Sequence, residues 1–180
     1  MELVSRLARE PWTDRPACVH PVLSAVARAA HDHSSSAGRR ELLPLAPRFL
    51  DTSAPGFESA ARLVSLCAST ALASGELTGD ERRRMVGAHR TALHLLGAEE
   101  RPGGAARWWL PTVKRWRWGE PFYRTFVATE QAAEAVAITA RTSDGNPDVR
   151  LRSLLKLCLA TQGAVRPSPS WSASAQKSWS

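Results

Sequence analysis

The sequence predicts an all-α fold, an irregular multi-helix bundle of about six to eight helices followed by a disordered C-terminal tail. Three observations predict it. Apolar residues recur three and four apart in one segment after another, which is the period of a helix face. No run alternates β-branched and polar residues as a half-buried strand would. Clusters of proline, glycine and serine separate the periodic segments. The expected division is a helical domain over 1–165 and a tail over 166–180.

Residues 2–9 read as a short helix with Leu3, Val4 and Leu7 on its apolar side, after which Pro11 and Pro16 hold the chain extended. Pro21 suits the first turn of a second helix, whose stripe is Val22, Ala25, Val26 and Ala29. The serine run 34–36 and Gly38 end it. The segment RRELLPLAPRFLD carries Leu42, Leu43, Phe49 and Leu50, but Pro44 and Pro47 restrict it to a short helix and a turn. The clearest helix is 56–74. Phe57, Ala60, Ala61, Val64, Cys67, Ala68 and Ala71 form a wide stripe, broadened by Leu63 and Leu66, so this helix is expected to be nearly buried. Gly75 stops it.

Thr78 and Glu81 have capping-box spacing and open a helix over about 79–96, with Met85, Ala88, Ala92, Leu95 and Leu96 inward. Asp80 is expected to pair with Arg84 one turn on. A long helix over 120–140 carries Phe122, Phe126, Thr129, Ala133 and Val136 on one line, and its alanines allow a neighbouring helix to approach closely. The turn at 144–147 leads into a last helix, Asp148 to about Gln162, with Leu151, Leu154, Leu155, Cys158 and Leu159 inward. From Arg166 the chain is Ser-rich and broken by proline, hence expected to be disordered. Trp171 and Trp179 are unusual in such a tail and suit docking on a partner or on the domain itself.

Between the break at Pro102-Gly103-Gly104 and Gly119 lies a tryptophan- and arginine-rich stretch holding four of the seven tryptophans. Pro111 fits the first turn of a helix that starts near Leu110 and stops before Gly119. Ala105, Trp109, Val113 and Trp116 then share one side and read as core, while Lys114 and Trp118 lie opposite, flanked by Arg115 and Arg117. The plain reading is indole capping a helical core with arginine stacked over it. The functional reading is a contact surface made of Arg107, Trp108, Lys114, Arg115, Arg117 and Trp118, because Trp and Arg are enriched at interface hot spots. The same mixture suits single-stranded nucleic acid and a bilayer interface.

A chain of 180 residues with 43% hydrophobic content is long enough to bury a substantial core. Its formal charge of +7 favours acidic partners. Among the 24 basic residues only Lys114, Lys156 and Lys177 are lysine; this arginine bias, with abundant alanine, is that of a GC-rich genome and weakens the inference to nucleic acid. The three cysteines have no framework spacing, and no signal-peptide pattern or long uninterrupted apolar run occurs, so a cytoplasmic setting is expected.

No catalytic, cofactor or metal site is expected. His31 and His33, two apart on a helix, diverge by about 200° and cannot face one ion, and Cys18-Val19-His20 is not a zinc spacing. His89 and His94, five apart, fare no better. Cys67 and Cys158 sit in apolar stripes where a thiol is inert, and no nucleophile elbow or phosphate-binding glycine loop is present. Glu130 and Glu134 share a helix face without the Glu-x-x-His partners of a metal bundle. The expected function is therefore a non-enzymatic helical interaction module that binds a protein partner through the Trp/Arg surface. The alternatives are nucleic-acid binding, through the helix pair 56–96 or the Trp/Arg stretch, and peripheral membrane association.

Overall fold

A computed structural model describes residues 1–9, 11, 13–53, 56–98, 119–141 and 145–163. Within them the chain is all-α. The helices are α1 (Glu2–Leu7), α2 (Pro21–Asp32), α3 (Ser36–Leu42), α4 (Phe57–Ala73), α5 (Gly79–Leu95), α6 over 119–141 and α7 (Pro147–Gly163). A 3-10 segment, Leu43–Phe49, continues α3. The Trp/Arg stretch, the break before it and the tail from 164 lie outside the described residues.

One buried cluster runs through the bundle. Val22, Leu23 and Val26 of α2 meet Leu63, Val64 and Cys67 of α4, Met85 and Ala92 of α5, Val136 and Ile138 of α6, and Leu151, Leu154 and Leu155 of α7. The helix α6 packs on α2, α4 and α7, and α4 packs on α5. Alanine makes this closeness feasible: Ala60, Ala61 and Ala68 on α4 and Ala128, Ala132 and Ala135 on α6 are all buried. Each fully buried leucine or valine stabilises the fold by roughly 1.5–3 kcal/mol.

The expected faces of α2, α4, α5 and α7 are borne out, with local corrections. Pro21 opens α2, and Thr78 and Glu81 form the reciprocal capping box of α5. In α1 only Val4 turns inward, whereas Leu3 and Leu7 are exposed. The serine run breaks α2 but also starts α3, since Ser35 Oγ accepts the Gly38 amide. Gly38 is therefore inside a helix. The 3-10 segment carries both prolines, Pro44 in its first turn, where the amide has no helical partner to lose, and Pro47 inside it, and it buries Leu45, Ala46 and Phe49. Arg84 reaches across to Glu134 on α6 at 2.6 Å, and Asp80 takes Arg83 instead.

The largest departure is in α6. Its first turn, Gly119–Phe122, runs into a π-turn, Tyr123–Val127, before the regular helix Ala128–Arg141. The Ala128 amide donates to Tyr123 O, five residues back. One extra residue in a turn rotates the preceding turns by about 100° relative to the succeeding ones. The expected line of Phe122 and Phe126 accordingly moves one position along the chain. Tyr123 is fully buried and Val127 packs against the core, while Phe122 and Phe126 are 55% and 61% exposed. Thr129 Oγ1 shares its proton between Thr125 O and Phe126 O at 2.7 and 2.8 Å, covering carbonyls that the wide turn loosens.

Candidate functional site

The π-turn faces the segment that leads into α2, and a cleft of about 620 Å³ opens between them. That volume lies within the range of small-molecule sites. Arg15 and Pro16 line it from the segment before α2, Ser24 and Arg28 from α2, and Arg124 and Phe126 from the π-turn. A shallower groove of about 540 Å³ continues from it along α2 and α6, sharing Arg28, Thr129 and Glu130. Asp32 and Glu134 also line that groove.

Hydrogen bonds hold the segment before α2 in place. Ser5 Oγ donates to Thr13 O at 2.7 Å, fixing the segment to α1. Arg28 Nη1 donates to Asp14 O at 3.1 Å and to Ser24 Oγ at 2.9 Å, and its Nε lies 3.9 Å from the Asp14 carboxylate. Burial holds the Arg28 guanidinium below its ordinary pKa, and the nearby Arg15 adds to this against the pull of Asp14. Two guanidinium groups thus share one mouth. The Arg15 side chain makes no hydrogen bond among the described residues.

Between Val19 and Pro21, which line the cleft, sits His20, fully buried, as the N-cap of α2. Its Nδ1 accepts the Val22 amide at 3.2 Å, so the neutral ring carries its proton on Nε2. Burial pushes its pKa down to about 4, with Arg124 adding to the effect. This ring is occupied in capping. Among the described residues no three His, Cys, Asp or Glu side chains are grouped as metal ligands.

At the start of α6, Phe122 and Phe126 stack on each other with centroids 5.5 Å apart and planes inclined by 33°. They are the largest exposed rings among the described residues. The sequence-predicted surface residues Arg107, Trp108, Lys114, Arg115, Arg117 and Trp118 lie outside the described residues, so the structure neither brings them together nor separates them. They end immediately before α6, the helix that carries the phenylalanine pair. Helical periodicity in the sequence puts Phe122 and Phe126 in the core and gives no sign of Arg15, Arg28 and Arg124. The π-turn leaves no periodic trace that would have found them.

Among the described residues no helix is long and apolar enough to cross a membrane. No known protein family matches the chain, nor does any curated protein or solved structure.

Proposed function

We propose that this chain is a non-enzymatic helical interaction module whose binding face centres on the start of α6 and engages a protein partner. The observation that carries this reading is the stacked pair Phe122 and Phe126, each more than half exposed, with Phe126 on the rim of a cleft that holds Arg15 and Arg28. Exposed aromatic rings beside arginine have the composition of interface hot spots. Leaving two phenylalanine rings in water forgoes roughly 1–2 kcal/mol of burial each, a cost that a binding face explains. The Trp/Arg stretch, which lies outside the described residues, directly precedes that face in sequence.

The nucleic-acid alternative draws less support from the helix pair 56–96. Of the three arginines that open α5, Arg83 pairs with Asp80 and Arg84 with Glu134, which leaves only Arg82 of them for phosphate. The test is capture of partners by the intact chain and by a Phe122→Ala/Phe126→Ala variant, compared after cross-linking and mass spectrometry. Loss of the captured proteins is expected, with the melting temperature lowered by no more than a few degrees. Undiminished capture overturns the reading. A shift of single- or double-stranded DNA that weakens steeply with salt transfers the assignment to nucleic acid, and co-sedimentation with anionic liposomes transfers it to a membrane surface.

A further inference from the structure

The cleft beneath Phe126 has chemistry of its own, independent of any protein docking on the ring pair. We infer that it is a binding site for a small organic anion, a carboxylate or phosphate monoester carried on a flat apolar body. Arg15, Arg28 and Arg124 converge on it from three separate segments, and Glu130 is the one carboxylate that lines it among the described residues. Asp14 offsets the charge of Arg28, whereas Arg15 pairs with no carboxylate among the described residues and lowers the Arg28 pKa, so an anion seated beside both would answer the charge of Arg15. Arg28 Nη1 is committed to Asp14 O and Ser24 Oγ, which orients the guanidinium that lines the cleft.

The rest of the lining suits the ligand's body. Phe126 offers an exposed ring face, Pro16 and Pro21 present apolar rings, and Thr125 and Thr129 lie beside them on the π-turn side. The charge distribution sets the orientation. The adjoining groove is lined by Asp32, Glu130 and Glu134, whereas Arg15 lines only the cleft, so the charged group seats between Arg15 and Arg28 and the apolar body runs towards Phe126. A π-turn is a common local device for turning side chains into a site, and here it delivers Arg124 and Phe126 together.

The test uses the full-length chain, isotopically labelled, with backbone amide shifts followed by NMR. Phenylacetate and phenyl phosphate are titrated in, with benzyl alcohol, benzylamine and inorganic phosphate as comparators. Both aromatic anions are expected to give saturable shifts at Arg15, Ser24 and Arg124 to Glu130, with a Kd on the order of 1 mM for so small a ligand. The neutral and cationic comparators are expected to leave these amides unmoved. Arg15→Gln is expected to weaken binding about threefold and Glu130→Gln to strengthen it by a similar factor, the scale of exposed charge interactions. Phe126→Ala is expected to weaken the aromatic anions while leaving inorganic phosphate unchanged. Absence of saturable shifts at these amides, shifts spread alike over arginines elsewhere, or affinities indifferent to Arg15 and Glu130 overturn the site. Partner capture reads the phenylalanine pair separately, so either assignment can fail while the other stands.

Discussion

Truncation of neighbouring aromatic residues at the start of α6 distinguishes the π-turn from a regular helix. Tyr123 is fully buried, whereas Phe122 and Phe126 are 55% and 61% exposed. Removing a fully buried aromatic ring loses its transfer free energy and leaves a cavity, together about 3–5 kcal/mol. At about 2–4 °C per kcal/mol for a chain of this size, Tyr123→Ala is expected to lower Tm by roughly 10 °C. Phe126→Ala removes a ring that is already mostly wet and is expected to cost no more than about 0.5–1 kcal/mol. Phe122→Ala belongs with it. Urea denaturation followed by far-UV circular dichroism measures all three on one scale. A regular α-helix through 119–141 reverses the order, putting Phe122 and Phe126 in the core and Tyr123 outside. Large losses for Phe122→Ala and Phe126→Ala with a small one for Tyr123→Ala refute the register.

Stability is expected to fall as pH is lowered from about 6.5 to about 4, because His20 ionises at 6.5 when unfolded but only at about 4 when folded, so the unfolded chain binds the extra proton first. The loss over that window is about 3 kcal/mol, and His20→Asn, which keeps a capping side chain without the titration, is expected to flatten the urea midpoint across it. Below that range the decline continues through Glu81, held at about 2 chiefly by its hydrogen bond to Arg141, and Asp148, lowered by Ser35. Gly38→Ala is expected to lower Tm despite alanine's better helix propensity, because its Cβ would collide with the Asp148 carboxyl that Ser35 holds through N–H and Oγ–H. Adding Ser35→Ala to that variant is expected to cost about a further 1 kcal/mol for the lost N-cap of α3, and less than Ser35→Ala costs alone, since the collision has already broken the joint to Asp148. Alkylation of the native chain is expected at half-buried Cys18 and not at Cys67 or Cys158. Those two thiols face each other at 3.8 Å in the core, where their mutual hydrogen bond and burial push the Cys67 thiol up. Rapid loss of all three thiols under native conditions would contradict the packing of α4 on α7.

Much of the fold was legible because its signals are local. The stripes of α4 and α7 recur every three or four residues, and the Thr78–Glu81 box is written within one turn. What escaped depends on partners distant in sequence or on backbone geometry without a residue code. Gly38 reads as a helix breaker until Asp148, more than a hundred positions away, is seen to occupy the space its side chain would need. Arg84 has an acidic neighbour at Asp80, yet a better-placed carboxylate on α6 captures it. The π-turn is the plainest case. Phe122 and Phe126 are spaced as core residues, and one inserted position sends both outward. For a site, composition pointed to the tryptophan- and arginine-rich stretch, which lies outside the described residues. The cleft was not legible, since Arg15, Arg28 and Arg124 come together only once α2 and α6 have packed.

Hydroxyl-radical footprinting of the intact chain, resolved residue by residue by mass spectrometry, tests the exposed aromatic face most directly. Phe122 and Phe126 are expected to be oxidised in the native state while Tyr123, intrinsically the more reactive ring, stays protected until the chain unfolds. Oxidation of Tyr123 with protection of both phenylalanines in the free chain would contradict it.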